Sequence, residues 1–149
     1  MTGTSIEISR VTSGAVVDEY RQTSAEGIFS AGNVLHVHDL VDNVSEEAFI
    51  AGQAAAEYAA GKLPAGATVL VQAGKGVRYA LPQRVHKGEG TVRLYFRVDG
   101  VYRGKSVVVR SDGMVLKKKK TMVLAPGEMQ HIEIEKSLIT GVVEVALEE

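Results

Sequence analysis

The sequence predicts an α+β protein: a strand-loop-helix segment followed by an all-β, sandwich-like or barrel-like domain. Three observations carry this expectation. The 149-residue chain is nearly neutral at −1, yet residues 1–62 sum to −6 and residues 63–149 to +5. A single strongly helical stretch lies in the acidic part, with small residues at helical spacing from Ala48 to Ala59. Beyond it, short apolar runs alternate with Gly-, Pro- and Asp-containing turns, the pattern of a small sandwich or barrel. The change falls at Gly61-Lys62-Leu63-Pro64-Ala65-Gly66, which is rich in helix-ending and turn-forming residues. We therefore expect two units, 1–62 and 63–149. The first is short for an independent domain, because small units bury too little surface. The second is better able to support a core.

Within the first unit, Ser5–Ser9 reads as a short strand with Ile6 and Ile8 on one face. Gly14 supplies a turn, and Ala15-Val16-Val17 opens a second apolar run ending near Tyr20. Gly27–Asn33 reads as a buried strand that delivers a small-residue loop to a site. The helix follows. Asn43 with Glu46 fits a capping box, Ser45 is a competing cap, and Glu46 and Glu47 suit the positive end of the helix dipole. Ala48, Ala51, Gly52, Ala55, Ala56 and Ala59 form a face that lets another backbone or a flat ligand approach closely. Packing against a sheet would use it equally well. The helix should end before Gly61.

In the second unit, strands are expected at Thr68–Ala73, Val77–Leu81, Thr91–Val98, Lys105–Arg110, Met129–Glu135 and Val142–Leu147. Met114–Leu116 and Thr121–Leu124 flank Lys117-Lys118-Lys119-Lys120. Val92, Leu94, Phe96 and Val98 should share one face, as should Val143, Val145 and Leu147. Asp99-Gly100, Ser111-Asp112-Gly113 and Pro126-Gly127 mark turns. Four lysines in a strand put two on each side, so at least one side must be wet, at an edge or between sheets. They fit a solvated edge, a dock for an acidic partner, or a nucleic-acid contact, the last of which needs aromatic platforms or a larger basic field. Gly74-Lys75-Gly76 lacks the spacing and the Lys-Ser/Thr ending of a phosphate loop.

Composition excludes several classes. The chain has no cysteine, so disulfides, thiolate metal sites, iron–sulfur clusters and thiol nucleophiles are ruled out within it. The near-zero net charge argues against nucleic acid as the main partner of the whole chain. No apolar run approaches the roughly 18–20 residues of a membrane span. No basic-then-apolar leader opens the sequence, which suits a cytoplasmic protein without a signal peptide.

Thr23-Ser24-Ala25-Glu26-Gly27-Ile28-Phe29-Ser30-Ala31-Gly32-Asn33 resembles the late FAD-binding motif of pyridine nucleotide-disulfide oxidoreductases. With the small-faced helix that follows, the resemblance covers about residues 15–60. It implies that Gly32 and Asn33 approach FAD, with Asn33 standing where the family usually has an acidic residue. Asn keeps the hydrogen-bonding capacity and loses the charge. The resemblance also places Asp42, Asn43, Val44 and Ser45 at the helix turn that faces the flavin, where helix N–H groups stabilise electron density on the ring. NAD or NADP is the implied electron donor or acceptor. The Gly-x-Gly-x-x-Gly turn, a second nucleotide-binding unit and a Cys-x-x-Cys pair do not occur in the sequence. The chain thus resembles the C-terminal part of a longer reductase, a fragment or separately encoded subunit that binds no FAD strongly by itself. Its partner is then the remainder of the flavoprotein or a companion subunit. The flanks of Pro126-Gly127-Glu128-Met129 are similar to β-sandwich accessory domains appended to oxidoreductases.

His36, His38, Asp39 and Asp42 occur within seven residues and combine imidazole with carboxylate groups. Such groups position a cofactor, relay protons near a substrate, or bind a divalent metal. No remote third ligand is evident, so no metal site is assigned, and no catalytic residue is identified. His86 and His131 read as core or surface residues. Two other functions fit parts of the pattern: a non-enzymatic β-sandwich interaction module, and a small hydrolase built on the His36–Asp42 cluster.

Overall fold

The computed structural model describes residues 6–32, 41–63 and 67–149, without the side chains of residues 41–43. The chain divides into two compact units, Met1–Gly66 and Ala67–Glu149.

In the first unit, closely spaced turns cut the apolar runs short. Of the strand expected at Ser5–Ser9, Ser5 lies outside the described residues and the rest forms no ladder: Ile8 makes a single antiparallel bridge with Ala15, and Val17–Thr23 and Gln22–Phe29 form two more. The Asp18 carboxylate accepts from the backbone N–H of Tyr20 at 2.9 Å and of Gln22 at 3.1 Å. Arg21 takes a φ of 67°, in the left-handed region that L-residues rarely adopt. Turns at this spacing leave no length for a ladder. As far as Gly32, the Gly27–Asn33 segment is likewise not the expected buried strand: Ile28 is 37% exposed and Phe29 half-buried. The reason is that a lone bridge holds it, and among the described residues no sheet covers it.

One α-helix, α1 (Val41–Ala59), follows. It starts before the expected caps, so Asn43 and Ser45 lie inside its first turns. Polar residues are tolerated there because the first N–H groups have no intrahelical partner. Its end matches the expectation. Gly61, with φ 72°, donates to the Tyr58 carbonyl, and Lys62 donates to that of Glu57, the paired bonds of a glycine-terminated helix. The buried face is Glu47, Ala51 and Ala54. Ser45, Ala48, Phe49, Gly52, Ala56 and Ala59 are exposed on the opposite side. Of the small residues expected to share a packing face, only Ala51 is fully buried, because 3.6-residue geometry points the Ala48–Gly52–Ala56 row away from the Glu47–Ala51–Ala54 row.

The second unit contains β1 (Thr68–Ala73), β2 (Val77–Leu81), β3 (Arg84–His86), β4 (Thr91–Val98), β5 (Tyr102–Arg103), β6 (Ser106–Ser111), β7 (Met114–Lys120), β8 (Val123–Leu124), β9 (Gln130–Glu135) and β10 (Val143–Glu148). A five-stranded sheet, β3-β1-β10-β6-β7, and a three-stranded sheet, β2-β4-β9, face one another, with the small β5-β8 pair beside them. The architecture is thus a sandwich rather than a closed barrel. Val92, Leu94, Phe96 and Val98 point inward as expected, none more than 5% exposed, against Val107, Val109, Val143 and Val145 of the other sheet. β1 joins β10 in parallel, Val71 opposite Val143, while the other pairings are antiparallel. β7 runs through the lysines rather than stopping before them. It lies at the edge of its sheet, where all four lysines are exposed.

Candidate functional site

The Gly27–Gly32 segment lies along α1 and is tied to it at both ends. Near the C-terminal end of the helix, the Phe29 and Tyr58 rings meet edge to face with centroids 6.2 Å apart. A Cβ on Gly27 would lie 3.1 Å from the Tyr58 ring. Near the N-terminal end, the Gly32 N–H donates to Glu47 Oε1 at 3.0 Å. The chain therefore runs from the end of the helix back to its beginning. Local hydrogen bonds prepare this course. The Thr23 hydroxyl accepts from the Ala25 N–H at 3.2 Å, Gln22 Oε1 accepts from Gly27 N–H at 2.9 Å, and Ser30 N–H donates to the Arg21 carbonyl at 2.9 Å.

Glu47 is the hub. Its Oε2 lies 3.4 Å from Arg21 Nε, and both side chains are only 2% exposed. Arg21 also donates through Nη1 to the Glu19 carbonyl. A buried carboxylate needs both a counter-charge and hydrogen-bond donors, and Arg21 and Gly32 supply one of each. Sequence reasoning assigned Glu47 only to the helix dipole. Two signals pointed further: Glu47 shares a helical face with Ala51 and Ala54, and Arg21 is one of few basic residues in an acidic unit.

Gly32 has a φ of 77°, and among the described residues a Cβ there would meet Val44 Cγ1, at 3.9 Å. The Gly32 turn and the first turn of α1 are thus adjacent. Val44 is half-buried and Ser45 exposed. Asp42 and Asn43 belong to the first turn by their backbone. Their side chains, together with Asn33, His36, His38 and Asp39, lie outside the described residues.

The second unit carries a different polar constellation, on the outer face of its larger sheet. Arg110 ion-pairs with Glu148 Oε2, and Lys118 Nζ bonds Glu148 Oε1 at 3.0 Å. Val108 and Ala146, opposite one another in the register, lie between these groups and are buried. Hydrogen bonding from Arg110, and then from Lys118, holds the Glu148 carboxyl below the usual carboxylate range. A groove of about 460 Å³ adjoins this cluster, with Lys75, Tyr102 and Lys105 on its walls. Lys105 pairs with Glu149 at 3.0 Å, so both signs of charge line the groove. The Tyr102 hydroxyl donates to Asp99, which raises the pKa of the phenol. At the Gly74–Gly76 bend, the Gly74 N–H donates to the Val145 carbonyl and the Lys75 carbonyl accepts from Leu147. The bend is stitched to β10 and has the geometry of a sheet connection rather than a phosphate cradle. No helix among the described residues is long and apolar enough to cross a membrane. Comparison with protein-family models, curated proteins and solved structures yields no match.

Proposed function

We propose that the chain is a fragment or subunit of an FAD-dependent oxidoreductase of the pyridine nucleotide-disulfide type. Residues 1–62 would complete the FAD-binding domain, and residues 63–149 would form a β accessory domain. The observation that carries the reading is the tie between Gly32 of the motif and Glu47 of α1. The Gly32 N–H is held near the helix start by Glu47, and the Gly32 backbone lies beside Val44 of the first helical turns. In this reading Gly32, Asn33 and the Asp42–Ser45 turn would face one edge of a flavin; the rest of the dinucleotide would need residues beyond these. Bound FAD would carry electrons between NAD or NADP and an acceptor. The chain's own part is to orient the ring and to present helix N–H dipoles to its electron-rich side. The exposure of Ile28, Phe49 and Tyr58 supports a covering body. Exposed large apolar side chains on a small unit mark interaction surfaces, which here would meet the remainder of the flavoprotein.

The discriminating experiment has two arms. The coding sequence around this chain is read for a Gly-x-Gly-x-x-Gly unit, in frame or in a neighbouring gene. In the assembly so identified, Asn33→Leu is measured for FAD occupancy and midpoint potential. The reading requires such a unit, and it requires weaker FAD retention or a shifted potential in the variant. The isolated chain with added FAD should oxidise neither NADH nor NADPH above free flavin, because hydride transfer needs both reactants positioned. Saturable turnover retained after gel filtration would reject the fragment reading.

A second reading, a non-enzymatic interaction module, draws on the closed core of the sandwich and its exposed basic edge. The absence of any neighbouring flavoprotein gene would favour it.

A further inference from the structure

The edge of the sandwich formed by β7 is unusual in charge and in what flanks it. We propose that this edge receives an extended acidic segment of a partner protein by strand addition. β7 pairs with β6 on one side and ends the sheet on the other. Thr121 N–H donates to the Lys105 carbonyl at 3.0 Å, directed toward the β6 side. Main-chain groups alternate in direction along an antiparallel ladder. Those of Lys118 and Lys120 therefore point away from β6, to the open edge. An extended segment can pair with such groups in the manner of edge-strand recognition.

Charge selects the segment. Lys117, Lys118, Lys119 and Lys120 are all exposed, and alternation sends two to each face of the strand. Lys118 is offset by Glu148, and Lys117 lies close enough to Glu133 to help lower its pKa. Lys119 and Lys120 make no ion pair among the described residues. Lysine on an edge strand also blocks self-association, and one inward-pointing charge is enough for that. Here four are consecutive, and apolar side chains stand exposed at both ends: Met114 at 66% and Val115 at 54% before them, Met122 at 87% after them. The pattern complements a run of acidic residues on both faces of a strand, with apolar residues at its ends. A nucleic acid would use the lysines but leave Met114, Val115 and Met122 uncovered.

The probe is a fluorescein-labelled peptide with four consecutive glutamates between valine pairs, titrated into the full chain and followed by anisotropy. Residue-resolved amide exchange is recorded with and without peptide. Binding that weakens as salt rises is expected, with slowed exchange at the Lys118 and Lys120 amides. The double variant Lys119→Glu, Lys120→Glu should lose affinity by about tenfold, two exposed ion pairs having been reversed. Both positions are exposed, so the fold should persist, and the dispersion of the amide spectrum checks this. The proposal fails if the peptide does not bind at low salt or if the double variant binds it equally. It also fails if exchange at Lys118 and Lys120 is unchanged in the complex, or if oligodeoxythymidine displaces the peptide with higher affinity.

Discussion

Replacing Glu47 with Gln changes one carboxylate oxygen to an amide nitrogen in the most buried polar pair among the described residues of the first unit. The volume is conserved and the Gly32 N–H can keep an acceptor. What is lost is the negative charge that Glu47 presents to Arg21, whose side chain is 2% exposed. Breaking a buried pair by neutralising one partner costs about 3–5 kcal/mol, because the remaining charge cannot return to water without disrupting the packing. A unit the size of Met1–Gly66 has about 3–10 kcal/mol of total stability, at roughly 0.05–0.15 kcal/mol per residue. The substitution should therefore bring the unit to the edge of unfolding. Native-state amide exchange reads this directly. Protection at Ala51 and Ala54 in α1 should collapse, while Val108 and Val145 in the sandwich keep theirs and serve as the internal control. The double variant Arg21→Met, Glu47→Leu should recover most of the loss, since neither charge of the pair then has to be desolvated, yet stay about 1–3 kcal/mol short because Gly32 N–H then lacks its Glu47 acceptor. Protection in α1 within about 1 kcal/mol of wild type in Glu47→Gln would refute the reasoning. So would equal loss in both units.

Two further predictions concern the sandwich. Phe96→Ala, at a position 1% exposed in the shared core, should lower stability by about 3–5 kcal/mol, measured as a shift of the urea midpoint with unchanged slope. The Glu148 carboxyl is held below its ordinary value of 4.5 by Arg110 and Lys118. A depressed folded-state pKa contributes stability that is present above the unfolded value and lost as pH falls through the folded one. Unfolding midpoints recorded from neutral pH down into the acid range should therefore fall below about pH 4.5, and Arg110→Gln should flatten that acid limb. The groups are exposed, so the effect should be small and should shrink further in high salt.

The Thr23–Asn33 segment was legible in the sequence as a motif, but what supports Gly32 was not. Gly32 stands out as the end of an apolar run. Nothing in its local sequence says that its N–H is held by Glu47, fifteen positions away. That bond exists because Arg21 takes a left-handed conformation that turns the Gln22–Gly32 segment back along α1. Helix identity and its glycine end were readable because they depend on neighbours three to five residues apart. The face α1 buries was not, since its alanines outnumber the positions that one neighbour can cover.

In the sandwich, alternation of apolar and polar residues determined by itself which side of β4 and β10 faces inward, because side-chain direction along a strand has a period of two. Turn residues likewise announced where most strands stop. Tertiary structure alone decided three things: the parallel pairing of β1 with β10, the continuation of β7 through its lysines, and the placement of that strand at a free edge. Strand partners are chosen by hydrogen bonds between distant segments, which leave no local periodicity. Four consecutive lysines can extend as a strand only because the edge keeps their ammonium groups in water, and edge position is a property of the assembled sheet.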